Sequence, residues 1–376
     1  MLTGVQCNKN IPLFRESIDL RNEAARLLGY ANHAAKILEV KMAKTVSTVT
    51  TFLDNLCSHA SRHAEKEVER LRAIKMADMP ASNIPFDGSI YSWDVAFYSR
   101  MLKEQQYSID QLKVAEYFPL QTTISGMLRL FGCLFGLVFV EIEDNEDGRS
   151  VSPTGNIADI LWHESVVLYS VWDDDGEGTS NAFVGYLYLD LHPRDGKYGH
   201  AVCTTLRSGF RNPDGTRCYP ATCLIANLTK PTSSKPSLLK HREVITLFHE
   251  LGHGMHNLVS RTIYSRFHGI AVVQDFVEAP SQMLENWCWI PSCLRSFSSH
   301  YKTGDPIPKD MVERLIDAER VNKSLGIIDQ LDYSIFDMAI HTQSIHDKEV
   351  NYPELLGSFY RRSTGIKGPE ALGMPS

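Results

Sequence analysis

The reading turns on one stretch, Val244-Ile-Thr-Leu-Phe-His249-Glu250-Leu251-Gly252-His253-Gly-Met-His256-Asn-Leu258. Within it Val244, Phe248, Leu251, Met255 and Leu258 recur at intervals of four, three, four and three residues, the period of a helix with one buried face. On such a helix His249 and His253 stand about one turn apart on one side, so two imidazoles can converge on a single ion. Glu250 lies about 100° around the helix, near enough to reach water on that ion but not the ion itself. The spacing matters because zinc takes neutral imidazole nitrogens at about 2.1 Å, while the base must stay outside the ligand set. Taken alone, the five-residue pattern also fits an amphipathic helix carrying two ordinary histidines.

A third ligand decides between those readings. Glu278, in Asp275-Phe-Val-Glu-Ala-Pro-Ser-Gln282, lies 25 residues past His253. Phe276, Met283, Leu284 and Trp287 form a helical apolar pattern around it, so Glu278 is placed to face a buried site. Two histidines and a glutamate make the open zinc site of hydrolases, which leaves a fourth position for water. Asp275 is a candidate to orient a ligand imidazole. Pro280 cannot donate to the carbonyl of Phe276, so the helix either begins near residue 277 or kinks there.

Outward from this segment, the chain divides into four stretches. Residues 1–160 read as a helical region. Pro12 suits a first helical turn, Phe14, Ile18, Ala25 and Leu28 share a face, and Gly29 supplies a stop. A longer helix carries Val49, Phe52, Leu53, Leu56, Ala60, Leu71 and Ile74 and stops before Pro80. Further helical patterns cover Ser92 to Gln106 and Gln121 to Phe135. Residues 161–230 read as a small antiparallel β-sheet. Val166 to Trp172, Phe183 to Leu191, His200 to Leu206 and Ala221 to Asn227 are its strands, and Leu187, Leu189 and Leu191 alternate with polar or aromatic neighbours. The acidic run from Asp173 to Gly178 reads as a solvated loop. Residues 231–362 return to helix and hold the motif, and residues 363–376 read as a disordered tail. The fold class is therefore mainly α, with a small sheet before the motif helix.

Composition excludes several functions. The chain has 376 residues, enough for roughly two to three domains' worth of polypeptide. Apolar content of 43% and charged content of 22% fit a soluble globular protein rather than a disordered one. The longest apolar run, Leu130 to Val140, has 11 residues, whereas a membrane span needs about 20. The net charge of −7, from 38 basic and 45 acidic residues, comes with no basic block, which excludes nucleic acid as a partner. The start, Met1 to Asn10, has neither a charged leader nor an apolar signal core. The eight cysteines form no CxxC pair and read as reduced thiols. A cytoplasmic location follows, with a mitochondrial one as the alternative if a segment is missing upstream.

Two long motifs, Phe248 to His256 and Asp275 to Trp287, closely resemble the thimet oligopeptidase and saccharolysin family of zinc metallopeptidases. Leu27-Leu-Gly-Tyr30, Lys41-Met-Ala-Lys-Thr45, Pro85-Phe-Asp-Gly88, Glu116-Tyr-Phe-Pro119, Tyr186 to Pro193, Gly196-Lys-Tyr-Gly-His200 and Asn227-Leu-Thr-Lys-Pro231 extend the resemblance from about residue 11 to 375. It implies a zincin-like helical fold with a narrow channel, lined by the β segment, that admits short peptides. It further implies one zinc ion held by His249, His253 and Glu278, with Glu250 as the general base that activates the zinc-bound water to hydrolyse internal peptide bonds. His256, His192 and His200 are assigned packing roles, and oligomeric state is left open.

The departures from the family are specific. Leu251 stands where the family usually has Phe, and Gln274 where its nearest members have Arg. Family members are also roughly twice this length, so the chain reads as truncated at both ends. The segment expected after Pro375 carries the Gly-rich loop, His and Tyr residues that stabilise the oxyanion, and losing one such donor typically costs on the order of 100- to 1,000-fold in turnover. The rival expectation is therefore a catalytically silent remnant that binds zinc or peptide.

Overall fold

A computed structural model describes residues 4–79, 86–107, 110–174, 182–342 and 350–368, with the side chains of 4–9 and of residue 147 left aside. The chain forms two compact units, one drawn from residues 1–109 and 315–376 and the other from 110–314. This grouping differs from the four consecutive stretches expected, because helices distant in sequence share the first unit's core.

The first unit holds α1 (Gly4–Leu27), α2 (His33–Leu38), α3 (Val46–Asp78) and α4 (Ser92–Tyr107). The long helix forms as the periodicity predicts, but its face is only partly as read: Leu53 and Leu71 are buried together with Val68, while Phe52 and Leu56 are 61% and 39% exposed. Pro12 lies inside α1 rather than in its first turn. One missing N–H costs a single helical bond, and the packing of Ile18 against Ile340 and Tyr352 holds the helix beyond it. Lys75 and Asp94 form a buried ion pair at 2.5 Å, and the ammonium also donates to the carbonyl of Ser89.

The second unit contains α5 (Gln111–Ala115), α6 (Leu120–Phe135), β1 (Leu137–Glu141), α7 (Glu146–Val151), β2 (Val167–Asp173), β3 (Phe183–Asp190), β4 (Val202–Arg207), β5 (Phe210–Arg211), β6 (Arg217–Cys218), β7 (Ala221–Ile225), α8 (His241–Leu258), α9 (Gln274–Glu285) and α10 (Pro291–Ser296). Then α11 (Lys309–Glu319) leads to α12 (Lys323–Thr342) and α13 (Tyr352–Thr364) of the first unit. The fold is mainly α, as expected.

Two expectations are corrected. The sheet is mixed, in the order β1-β2-β3-β7-β4, with β3 and β7 parallel from Tyr186↔Ala221 to Asp190↔Ile225. Alternation within a strand reports which face is buried but not the direction of its neighbour, and β7 inserts between β3 and β4. The sheet also starts at Leu137, inside the stretch expected to be helical, because Gly136 takes a left-handed φ of 64° and ends α6. The tail is the second correction. Here α13 runs to Thr364, Gly365 turns the chain at φ 69°, and Ile366 is fully buried. Residues 369–376 lie outside the described residues, as do Asp175 to Gly178 of the acidic loop.

Asp190 anchors the sheet at the end of β3. It is 1% exposed and accepts from Arg194 at 2.6 and 2.8 Å, from Lys197 Nζ at 2.8 Å and from Trp162 Nε1 at 2.9 Å. Lys197 also donates to the carbonyls of Asp190, His192 and Ala226. Burial pushes the Asp190 carboxyl up, but these donors outweigh it and hold the group well below the usual carboxylate range. No helix among the described residues is long and apolar enough to cross a membrane.

Asp190→Asn is expected to destabilise the chain by roughly 3–5 kcal/mol in urea unfolding, because it leaves a buried ammonium uncompensated. The unfolded carboxyl titrates near about 3.9, so the stability tied to ionised Asp190 is complete above that pH. It is lost as pH falls toward the depressed folded value, and the Asn variant lacks that acid limb. A loss under about 1 kcal/mol would contradict this role.

Candidate metal centre

The motif helix is fixed by its apolar side. Val244, Phe248 and Leu251 are 0% exposed and Met255 and Leu258 are 1% exposed, matching the spacing read from the sequence. The Phe248 ring meets Phe131 at 5.4 Å and Phe297 at 5.1 Å between centroids. At the first turn His241 Nε2 lies 3.1 Å from the carbonyl of Cys288. Burial pushes that imidazole down to about 4, so it is neutral at physiological pH. On the sheet side, a Cβ at Gly254 would lie 3.5 Å from Sγ of Cys203 on β4. Burial raises the Cys203 thiol to about 12, and the nearby Glu250 carboxylate adds to the rise. Half-buried Glu250 stands one helical turn before Gly254 and so shares the side of α8 that meets β4.

A second helix is brought against the motif. A Cβ at Gly252 would fall 2.7 Å from Cα of Ser281 on α9, so the two backbones meet where only hydrogen fits. Helix α9 begins at Gln274 and runs through Pro280, which answers the alternative left by the sequence. Its course carries Glu278 to the histidines. Glu278 Oε2 lies 3.2 Å from Nε2 of His249 and 3.2 Å from Nε2 of His253. The three donor atoms lie within 4.8 Å of one another, the one such His/Cys/Asp/Glu group of three among the described residues. The side chains of His249 and His253 are 25% and 12% exposed, and that of Glu278 is 52% exposed, so the group opens toward solvent on the glutamate side.

One participant escaped the sequence reading. Glu285 Oε1 lies 2.7 Å from His249 Nδ1. An ionised carboxylate only accepts, which places the ring proton on Nδ1 and leaves the Nε2 lone pair facing Glu278. Glu285 follows Glu278 by seven residues, two helical turns, and that spacing was the available signal. His256 is half-buried, edge-on to Phe276, and outside the donor group. His192 Nδ1 lies 3.3 Å from the carbonyl of Leu228, and the ring of His200 lies against Tyr198. The described cysteines, 57, 133, 203, 218, 223, 288 and 293, are all free thiols.

Residues 3–369 match the sequence profile of peptidase family M3. The chain belongs to that family. It is 43% identical over 335 residues to saccharolysin of Saccharomyces cerevisiae, covering 89% of this chain and 45% of that protein. It is 35% identical over 369 residues to the thimet-like oligopeptidase of Dictyostelium discoideum, covering 96% and 52%. It is 33% identical over 361 residues to oligopeptidase A of Escherichia coli, covering 96% and 49%. The chain thus spans about half the length of the curated relatives it matches.

The glycine contact generates a test. Gly252→Ala is expected to cost about 1–3 kcal/mol, because the new methyl meets Ser281 backbone that cannot move aside. Gly254→Ala is expected to cost less, since its nearest neighbours, Leu251 Cδ1 at 3.1 Å and Cys203 Sγ at 3.5 Å, are side-chain atoms. Urea unfolding of both variants checks the order, and equal costs would contradict it.

Proposed function

We propose that this chain is a zinc metalloendopeptidase of the oligopeptidase type, or the catalytic core of one, acting on internal bonds of short peptides. The observation that carries the reading is the convergence of His249 Nε2, His253 Nε2 and Glu278 Oε2. Two neutral imidazoles and one carboxylate suit zinc, and three protein donors leave a coordination position free. The hydrogen bond from His249 Nδ1 to Glu285 supports the fit, because it turns the other nitrogen toward the ion. When bound, zinc supplies positive charge that polarises a scissile carbonyl and acidifies water.

The chain's own groups supply the remaining chemistry. Glu250 adjoins His249 in sequence but lies about 100° around α8, so it stays out of the ligand set and is free to move protons. It takes the proton from the attacking water and returns it to the leaving amine as the C–N bond breaks. The sheet supports substrate alignment. Strand β4 is one of the sheet's two outer strands and pairs with β7 alone among the described residues, so its other edge would offer unpaired backbone groups to an extended peptide. Its Cys203 lies beside the motif helix, which brings that edge near the catalytic residues.

Glu250→Gln separates binding from chemistry. The variant is expected to retain one zinc per chain by elemental analysis and to lose cleavage of a fluorogenic short peptide by at least about 100-fold. Retained cleavage would refute Glu250 as the base. Zinc bound without turnover in the unaltered chain would favour the silent zinc- or peptide-binding reading.

A further inference from the structure

The donor group depends on a carboxylate that water could easily displace. The Glu278 side chain keeps 52% of its surface exposed, and a long glutamate gives up rotamer freedom when it is held on one target. One contact opposes that freedom. Ser281, on the next turn of α9 and 0% exposed, places its hydroxyl 2.9 Å from Glu278 Oε2. This is the same oxygen that lies 3.2 Å from both imidazoles. The hydroxyl also lies 2.9 Å from the backbone carbonyl of Glu278, but it has one hydrogen, and an ionised carboxylate is the stronger acceptor.

We propose that Ser281 is the positioning residue for the third metal ligand. It donates to Oε2 and keeps that oxygen turned toward His249 and His253. The inference rests on the metal reading above and adds to it the residue that holds the exposed ligand in place. Two features make Ser281 suited to the role. Its backbone is pinned where α8 and α9 meet, since a Cβ at Gly252 would fall 2.7 Å from its Cα, so the donor sits at a fixed point. The hydroxyl is also small enough to occupy a fully buried position while reaching an exposed carboxylate. Ser281 therefore links the tightest helix contact to the most exposed member of the donor group. Glu285 does the corresponding job for His249 from the same helix.

The test compares Ser281→Ala, Ser281→Thr and Glu278→Gln in the full chain. Zinc affinity is measured by competition with a chromophoric chelator, together with the visible spectrum of the Co2+ form and thermal unfolding of the metal-free protein. Ser281→Ala keeps the Cβ that packs near Gly252, so metal-free stability is expected to stay unchanged. Zinc affinity should fall roughly 10- to 100-fold and the Co2+ bands should shift, with Ser281→Thr restoring most of both. Wild-type affinity and spectrum in Ser281→Ala would overturn the proposal while leaving the metal reading intact. Equal losses of metal-free stability and affinity, with no rescue by Thr, would also overturn it by showing a merely structural role. Failure of the unaltered chain to bind zinc, or equal binding by Glu278→Gln, would overturn the metal reading and this inference with it.

Discussion

Everything proposed for this chain depends on how closely α9 can approach α8 at Gly252. The missing side chain there lets Ser281 Cα come within the space a methyl would fill. That approach brings Glu278 to 3.2 Å from two imidazoles on the neighbouring helix. A displacement of a few tenths of an ångström would exceed what metal–ligand distances tolerate. The glycine of the motif is therefore a packing requirement between helices, independent of the chemistry of its neighbours.

The two sides of α8 do different work. Phe248 packs between Phe131 and Phe297 on the apolar side, and His241 bonds to the carbonyl of Cys288 at the first turn. These contacts fix the helix without using His249 or His253, the two donors it offers to the proposed metal site. Another side presents His249 and His253 to Glu278 of α9, while Glu250 shares the side on which Gly254 meets Cys203 of β4. The two histidines and Glu250 thus meet different neighbours, as the separate roles proposed for them require. Across the sheet, the hydrogen bonds that buried Asp190 accepts from Arg194, Lys197 and Trp162 tie the end of β3 to the segments that precede β4 and β2.

The legible parts of this structure are those written in local spacing. The motif helix could be read because its buried positions recur every three or four residues, and the structure buries each one. Glu278 could be reached because the two motifs follow in order, but the apolar pattern read around it is buried only at Leu284: Phe276 and Met283 are 37% and 54% exposed, and Glu278 opens to solvent instead of facing a buried site. Glu285 was missed although its spacing from Glu278 was visible, because two helical turns do not say which nitrogen a carboxylate will meet. The contact between Gly252 and Ser281 joins residues 29 apart, and no periodicity reports it. The parallel pairing of β3 with β7 was hidden for a related reason, since alternation fixes a strand's faces and not its partner. Likewise Ile366 lies in the stretch read as a disordered tail, yet Gly365 turns the chain there and Ile366 joins the first unit's core.

The most direct test is a crystal of the chain grown with zinc, with anomalous differences recorded on both sides of the zinc absorption edge. The account predicts one strong peak at about 2.0–2.2 Å from His249 Nε2, His253 Nε2 and a Glu278 oxygen. A peak elsewhere, or density with Glu278 turned away from both imidazoles, would contradict it.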